Sequence, residues 1–134
     1  MNKKEKKQRI KQVKALFDKW IPRLGLKWFS IEIIHYSKRK HYMQATEKGP
    51  NSVMVASCSW EYMRATIYVC IPNTEGMSDR KLEWTVVHEL MHVFLNEMRG
   101  ANKNVDAEFL AHEERVASML ADAVIWTTEG IDGT

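Results

Sequence analysis

His88-Glu89-Leu90-Met91-His92 sets two imidazoles and a carboxylate in an H-E-x-x-H spacing. On an α-helix, residues four apart lie one turn apart on one face, so both imidazoles reach a single Zn²⁺. Glu89, next to the first imidazole, is then placed to take a proton from a water that the metal activates. Such a site needs a third protein donor and keeps its fourth position for water. The longer H-E-x-x-H-x-x-G-x-x-H pattern is not met, because Leu95 and Met98 stand where its Gly and third His belong. The third donor must come from another element.

The stretch from Ala111 to Val124 supplies one. Val116, Met119, Leu120, Ala123 and Val124 recur at helical spacing and define an apolar face. On a helical wheel Glu113 falls about 50° from the centre of that face, His112 about as far to the other side, and Glu114 about 150° away. Glu113 is therefore the expected third ligand, His112 the next candidate, and Glu114 the solvent-facing acid. The competing reading makes both glutamates first-turn acids that complement the helix dipole.

The elements that must hold these residues follow from periodicity and punctuation. Trp84, Val87, Met91, Phe94, Leu95 and Met98 predict an amphipathic active-site helix from about Ser78 to Arg99, with Thr85, His88, Glu89, His92 and Asn96 as a polar strip beside its buried face. Ser78 or Asp79 caps its start, and Arg99-Gly100 supplies a basic last turn and a stop. A short connection from Gly100 to about Asn104 favours an antiparallel pair with the ligand helix, Val105 to Trp126. Upstream, a helix from Lys4 to Ile21 ends at Pro22. Strands are expected at Trp28–Tyr36, Val53–Cys58 and Ala65–Ile71, with Ser37–His41 as a polar turn. The order helix, three strands, helix, helix is α+β, a single domain over residues 1–134 with a small, mostly antiparallel sheet and a polar tail from 127 to 134.

H-E-L-M-H followed about twenty residues later by E-E-R-V-A-S-M-L-A resembles the small gluzincin-type zinc metallopeptidases, and most closely the compact metallopeptidases of phages and prophages. Residues 65–69 resemble the strand beside the active-site helix of zincins. The resemblance covers about residues 24–126, and only the two helical motifs carry it specifically. It implies a minimal zincin-like fold, Zn²⁺ on His88, His92 and one of the two glutamates, Glu89 as base, and a peptide or protein substrate. It also implies that the 65–70 strand is a sheet edge that holds an extended peptide by strand addition.

Composition bounds the alternatives. No run of about 18 apolar residues is present, so no membrane span is expected, and no apolar segment follows the basic N-terminus as in a secretory signal. Cys58 and Cys70 lack disulfide or zinc-ligand spacing and fit a reducing cytoplasm. The net charge of +3 divides into +6 over residues 1–14 and −3 over the remainder. That basic segment can bind nucleic acid, but Ile10, Val13, Phe17, Trp20 and Ile21 make it chiefly the solvated side of an amphipathic helix. Two rivals to the hydrolase thus stand: a non-catalytic zincin-fold binding protein with a structural metal closed by a fourth ligand such as His112, and a nucleic-acid-associated protein using its basic first helix. His35 and His41 read as surface or edge histidines.

Overall fold

The computed structural model describes residues 1–101 and 104–131. Its elements run α1 (Lys3–Arg23), β1 (Ser30–Tyr36), α2 (Arg39–Thr46), β2 (Met54–Ser59), β3 (Arg64–Cys70), α3 (Asp79–Ala101) and α4 (Ala107–Ile131), with 3₁₀ turns at Trp60–Tyr62 and Ile71–Thr74. This is the expected α+β layout.

The helix ends obey local chemistry. Asn2 caps α1 through a capping box with Glu5. Ser78 Oγ accepts from the Lys81 backbone N–H at 3.1 Å at the start of α3. Pro22 does not stop α1 but sits inside its last turn, which Leu24 closes by donating its N–H to the Trp20 carbonyl. Residues 37–41, expected as a turn, instead lead into α2, whose buried anchor is Tyr42. The supposed tail likewise begins inside α4, which continues to Ile131; residues 132–134 lie outside the described part. Asn102 and Lys103, in the α3–α4 connection, do so too.

The three strands form one mixed sheet in the order β1-β3-β2. β3 pairs parallel with β1 (Ile33 opposite Ile67) and antiparallel with β2 (Ala56 opposite Ile67). The expectation that residues 65–70 form an edge is therefore corrected: β3 is central, and β2 is the edge on the α3 side. Along β3, Ala65, Ile67 and Val69 point into the core, while Tyr68 stacks on Tyr36, which meets Tyr42 of α2 edge-on. That alternation is the period of two a strand imposes.

The core is built around α3. Val13, Phe17 and Trp20 of α1 meet Leu82, Val86, Leu90 and Val93 of α3, with Ile67 and Val69 below and Ala117, Ala121 and Ile125 of α4 beside them. Each large apolar side chain so buried contributes about 1.5–3 kcal/mol. Polar links reinforce the α1–α3 contact: Trp20 Nε1 and Lys19 Nζ both reach Glu83 at 2.8 Å. Thr85 through Met91 are all buried, so the middle of α3 is covered on every side rather than along one stripe. His88 through Met91 lie in that covered segment, and half-buried His92 follows directly.

Candidate metal centre

α3 presents His88 and His92 one turn apart, and each ring is held by a neighbour. Trp84 stacks on His88 with centroids 4.9 Å apart and planes 7° from parallel, and its Nε1 donates to Asp122 Oδ1 of α4 at 2.6 Å. His92 is held by Glu113: Nδ1 and Oε1 are 2.9 Å apart. Both Nε2 atoms turn toward α4, where the Glu114 carboxylate spans them, Oε1 at 2.7 Å from His88 and Oε2 at 3.0 Å from His92. One donor atom from each of His88, His92 and Glu114 lies within 4.8 Å of the others. This His-His-Glu cluster can hold a metal ion.

The structure thus brings the two predicted histidines together with a different carboxylate. Glu113, the expected third ligand, is buried as the wheel required, but on the Nδ1 side of His92, away from the converging Nε2 atoms. The reason is the rotation of α4. Its packed face is not Val116, Met119, Leu120 and Ala123 but the row Glu113, Ala117, Ala121 and Ile125. Alanines let α4 approach α3 closely, and the roughly 100° turn this requires, one residue's worth, moves Glu114 over the histidines. His112 is exposed with its Nε2 3.8 Å from Glu108, so it is not part of the cluster. His35 on β1 and exposed His41 on α2 lie outside it as well.

Glu113 has a second partner, which sequence reading missed. Arg99, two turns beyond His92, donates through Nε to Glu113 Oε2 at 2.8 Å and through a terminal nitrogen to Oε1. Burial opposes ionisation of Glu113, but the Arg99 and His92 contacts outweigh it and hold its pKa below the usual carboxylate value. An ionised carboxylate only accepts hydrogen bonds, so His92 Nδ1 must carry the proton. With Nδ1 so engaged, Nε2 is the ring nitrogen that faces the cluster, the arrangement in which an outer carboxylate orients a metal-binding histidine.

The donor set passes a direct test of fit to a cation. His88 Nε2 is buried and, despite its nearness to Glu114, has no well-aligned hydrogen-bond partner among the described residues. An unsatisfied buried nitrogen costs about 1–3 kcal/mol, which a bound cation would remove. Burial works against a charged His88, yet the Glu89 and Glu114 carboxylates prevail and raise its pKa, so the surroundings favour positive charge at this point.

Glu89 is buried and shares a cleft of about 310 Å³ with His92, Asn96, Arg99 and Glu114. The opposite wall is the edge strand, Met54, Val55, Ala56 and Cys58. Cys58, part of this wall, has its thiol pKa pushed up to about 11 by burial, against the opposing pull of Arg99. Cys58 and Cys70 are both unpaired. No described helix is long and apolar enough to cross a membrane. Comparison with protein-family models, curated proteins and solved structures finds no match to the chain.

Proposed function

We propose that the chain is a zinc-dependent hydrolase, most specifically a metallopeptidase of the gluzincin type that acts in the cytoplasm on a peptide or protein. One observation carries the reading. Two histidine Nε2 atoms and one carboxylate converge beside a buried glutamate, in a cleft walled by an edge strand. Two imidazoles and a carboxylate suit zinc, and a three-donor set leaves the open position that catalytic sites keep. His112, which a closed structural site would recruit, points elsewhere.

Zinc held there would supply a water of near-neutral pKa and polarise a scissile carbonyl. The residues do the rest. Glu89, which lines the cleft and whose Oε1 lies 3.5 Å from His88 Nδ1, accepts a proton at an oxygen and returns it to the nitrogen of the leaving amine. Glu113, backed by Arg99, holds the His92 ring in one orientation, so the donor set is arranged before substrate arrives. Among the described residues β2 pairs only with β3, and its outward backbone can take an extended peptide as an added strand. Asn96 lies one turn beyond His92 on the same wall, and its buried Oδ1 has no partner among the described residues. It can accept a substrate backbone N–H.

The test is elemental analysis of purified protein together with hydrolysis of an unfolded, fluorescently labelled casein. One zinc per chain in both parent and Glu89→Gln, with cleavage by the parent alone, is the expected result. Absence of bound zinc from the parent, or equal cleavage by both, would reject the proposal.

A further inference from the structure

The outer surface of the α3–α4 pair is apolar. Phe94 and Met98 of α3 and Val116, Met119, Leu120 and Trp126 of α4 all face solvent, with Met98 64%, Met119 62% and Trp126 76% exposed. They form one patch. Leu95 and Met98 meet Phe109, His112 and Val116 around a shallow groove, and on one face of α4 Val116 stands three residues before Met119 and four before Leu120, with Trp126 seven beyond Met119. Given ordinary side-chain sizes, the exposed fractions amount to on the order of 700 Å², above the ~300–600 Å² of the largest patch on a typical monomer.

We propose that this face is a homodimer interface, in which α4 packs antiparallel against α4 of a second copy about a two-fold axis near Met119. Area is the first argument. A specific interface of standard size buries about 800 Å² on each partner, close to what the patch offers. Charge is the second. Arg115 and Asp122 border the patch, and Arg115 is exposed with no ion pair among the described residues. In an antiparallel pair centred between them, each Arg115 lies across from Asp122 of the other copy, so one charge pattern is satisfied twice by symmetry. Asp122 uses Oδ1 for the Trp84 indole, which leaves its other oxygen for this pairing.

Joining two α3–α4 hairpins this way makes a four-helix arrangement, a common solution for helices with a second apolar face. It also leaves catalysis accessible. Glu114 leaves α4 on roughly the opposite side from Met119, so both clefts of the dimer face away from the contact.

Sedimentation equilibrium of the full chain decides the matter. The parent is expected to run at twice its chain mass at about 100 µM and to dissociate at least tenfold more readily as Met119→Glu, with helical circular dichroism unchanged. Arg115→Glu and Asp122→Arg should each weaken association about tenfold, the equivalent of 1.4 kcal/mol, and the two together should restore it. A parent that stays monomeric at that concentration would overturn the proposal. So would a dimer indifferent to Met119→Glu but dissociated by Trp28→Ser in the exposed α1–β1 connection, or a charge reversal that fails to rescue. None of these readouts depends on zinc or cleavage, so the dimer and the hydrolase stand or fall separately.

Discussion

Glu113 and Glu114 are adjacent in sequence and assigned opposite duties, so truncating each in turn separates a metal ligand from its support. Apparent binding energies of about 10–16 kcal/mol for four-ligand zinc sites correspond to about 3–4 kcal/mol per ligand, or roughly 10²- to 10³-fold in affinity. Glu114→Ala should lose zinc on that scale. Its side chain is more than half exposed and its ion pairs among the described residues are with His88 and His92 alone, so the metal-free fold should nearly keep its stability. Glu113→Ala should behave the other way round. It leaves the ligands in place but frees the His92 ring, for which loss of an outer partner costs about 10- to 100-fold in metal affinity. It also strips Arg99 and His92 of a buried acceptor, at about 1–3 kcal/mol of stability. Competition against a zinc chelator gives the first quantity and urea unfolding of metal-free protein the second. If Glu113→Ala loses more zinc affinity than Glu114→Ala, or if Glu114→Ala is the less stable apo-protein, the assignment is wrong.

Other outcomes follow from the same geometry. Glu89→Gln should retain zinc within a few-fold while hydrolysis falls by about 10²- to 10⁴-fold, the usual worth of a general base; steady-state cleavage with parallel metal analysis checks this. A Cβ at Gly100 would overlap the Trp60 indole, so Gly100→Ala should shift tryptophan fluorescence and destabilise by about 1–3 kcal/mol, less up to ~1 kcal/mol from better helix propensity. Burial raises the Cys58 pKa from 9.0 to about 11, so its contribution is complete below pH 9 and lost as pH rises toward 11. Urea midpoints across that range should fall for the parent and flatten for Cys58→Ala. Removing zinc should lower the thermal midpoint by an amount that grows with the free zinc supplied beforehand, as linkage requires.

Much of the site was readable because it is local. H-E-x-x-H needs only a helix, and the helix needs only its apolar spacing and a cap at Ser78. The strands were readable from β-branched density. What escaped depends on partners distant in sequence. The apolar face of α4 was read from its largest side chains, Val116, Met119 and Leu120, whereas close packing chose the small ones, Ala117 and Ala121. The row Glu113, Ala117, Ala121, Ile125 was present as a four-residue repeat and was the available signal. Arg99 read as a basic last turn because nothing local tied it to a carboxylate fourteen residues on. Sheet order likewise has no local signature, and only the pairing of β3 on both sides removed it from the edge.

That the carboxylate comes from α4 has a consequence for biosynthesis. A chain interrupted before residue 114 has both histidines and Glu89 but no third donor. Truncated products, from a premature stop or a stalled ribosome, would therefore be poor metal binders and idle catalysts. A nascent chain, too, is denied a complete centre until the helix that follows it has emerged and docked. Under the proposed function, dividing the ligands between two helices would act as a built-in proofreading step, tying the onset of hydrolysis to a finished fold.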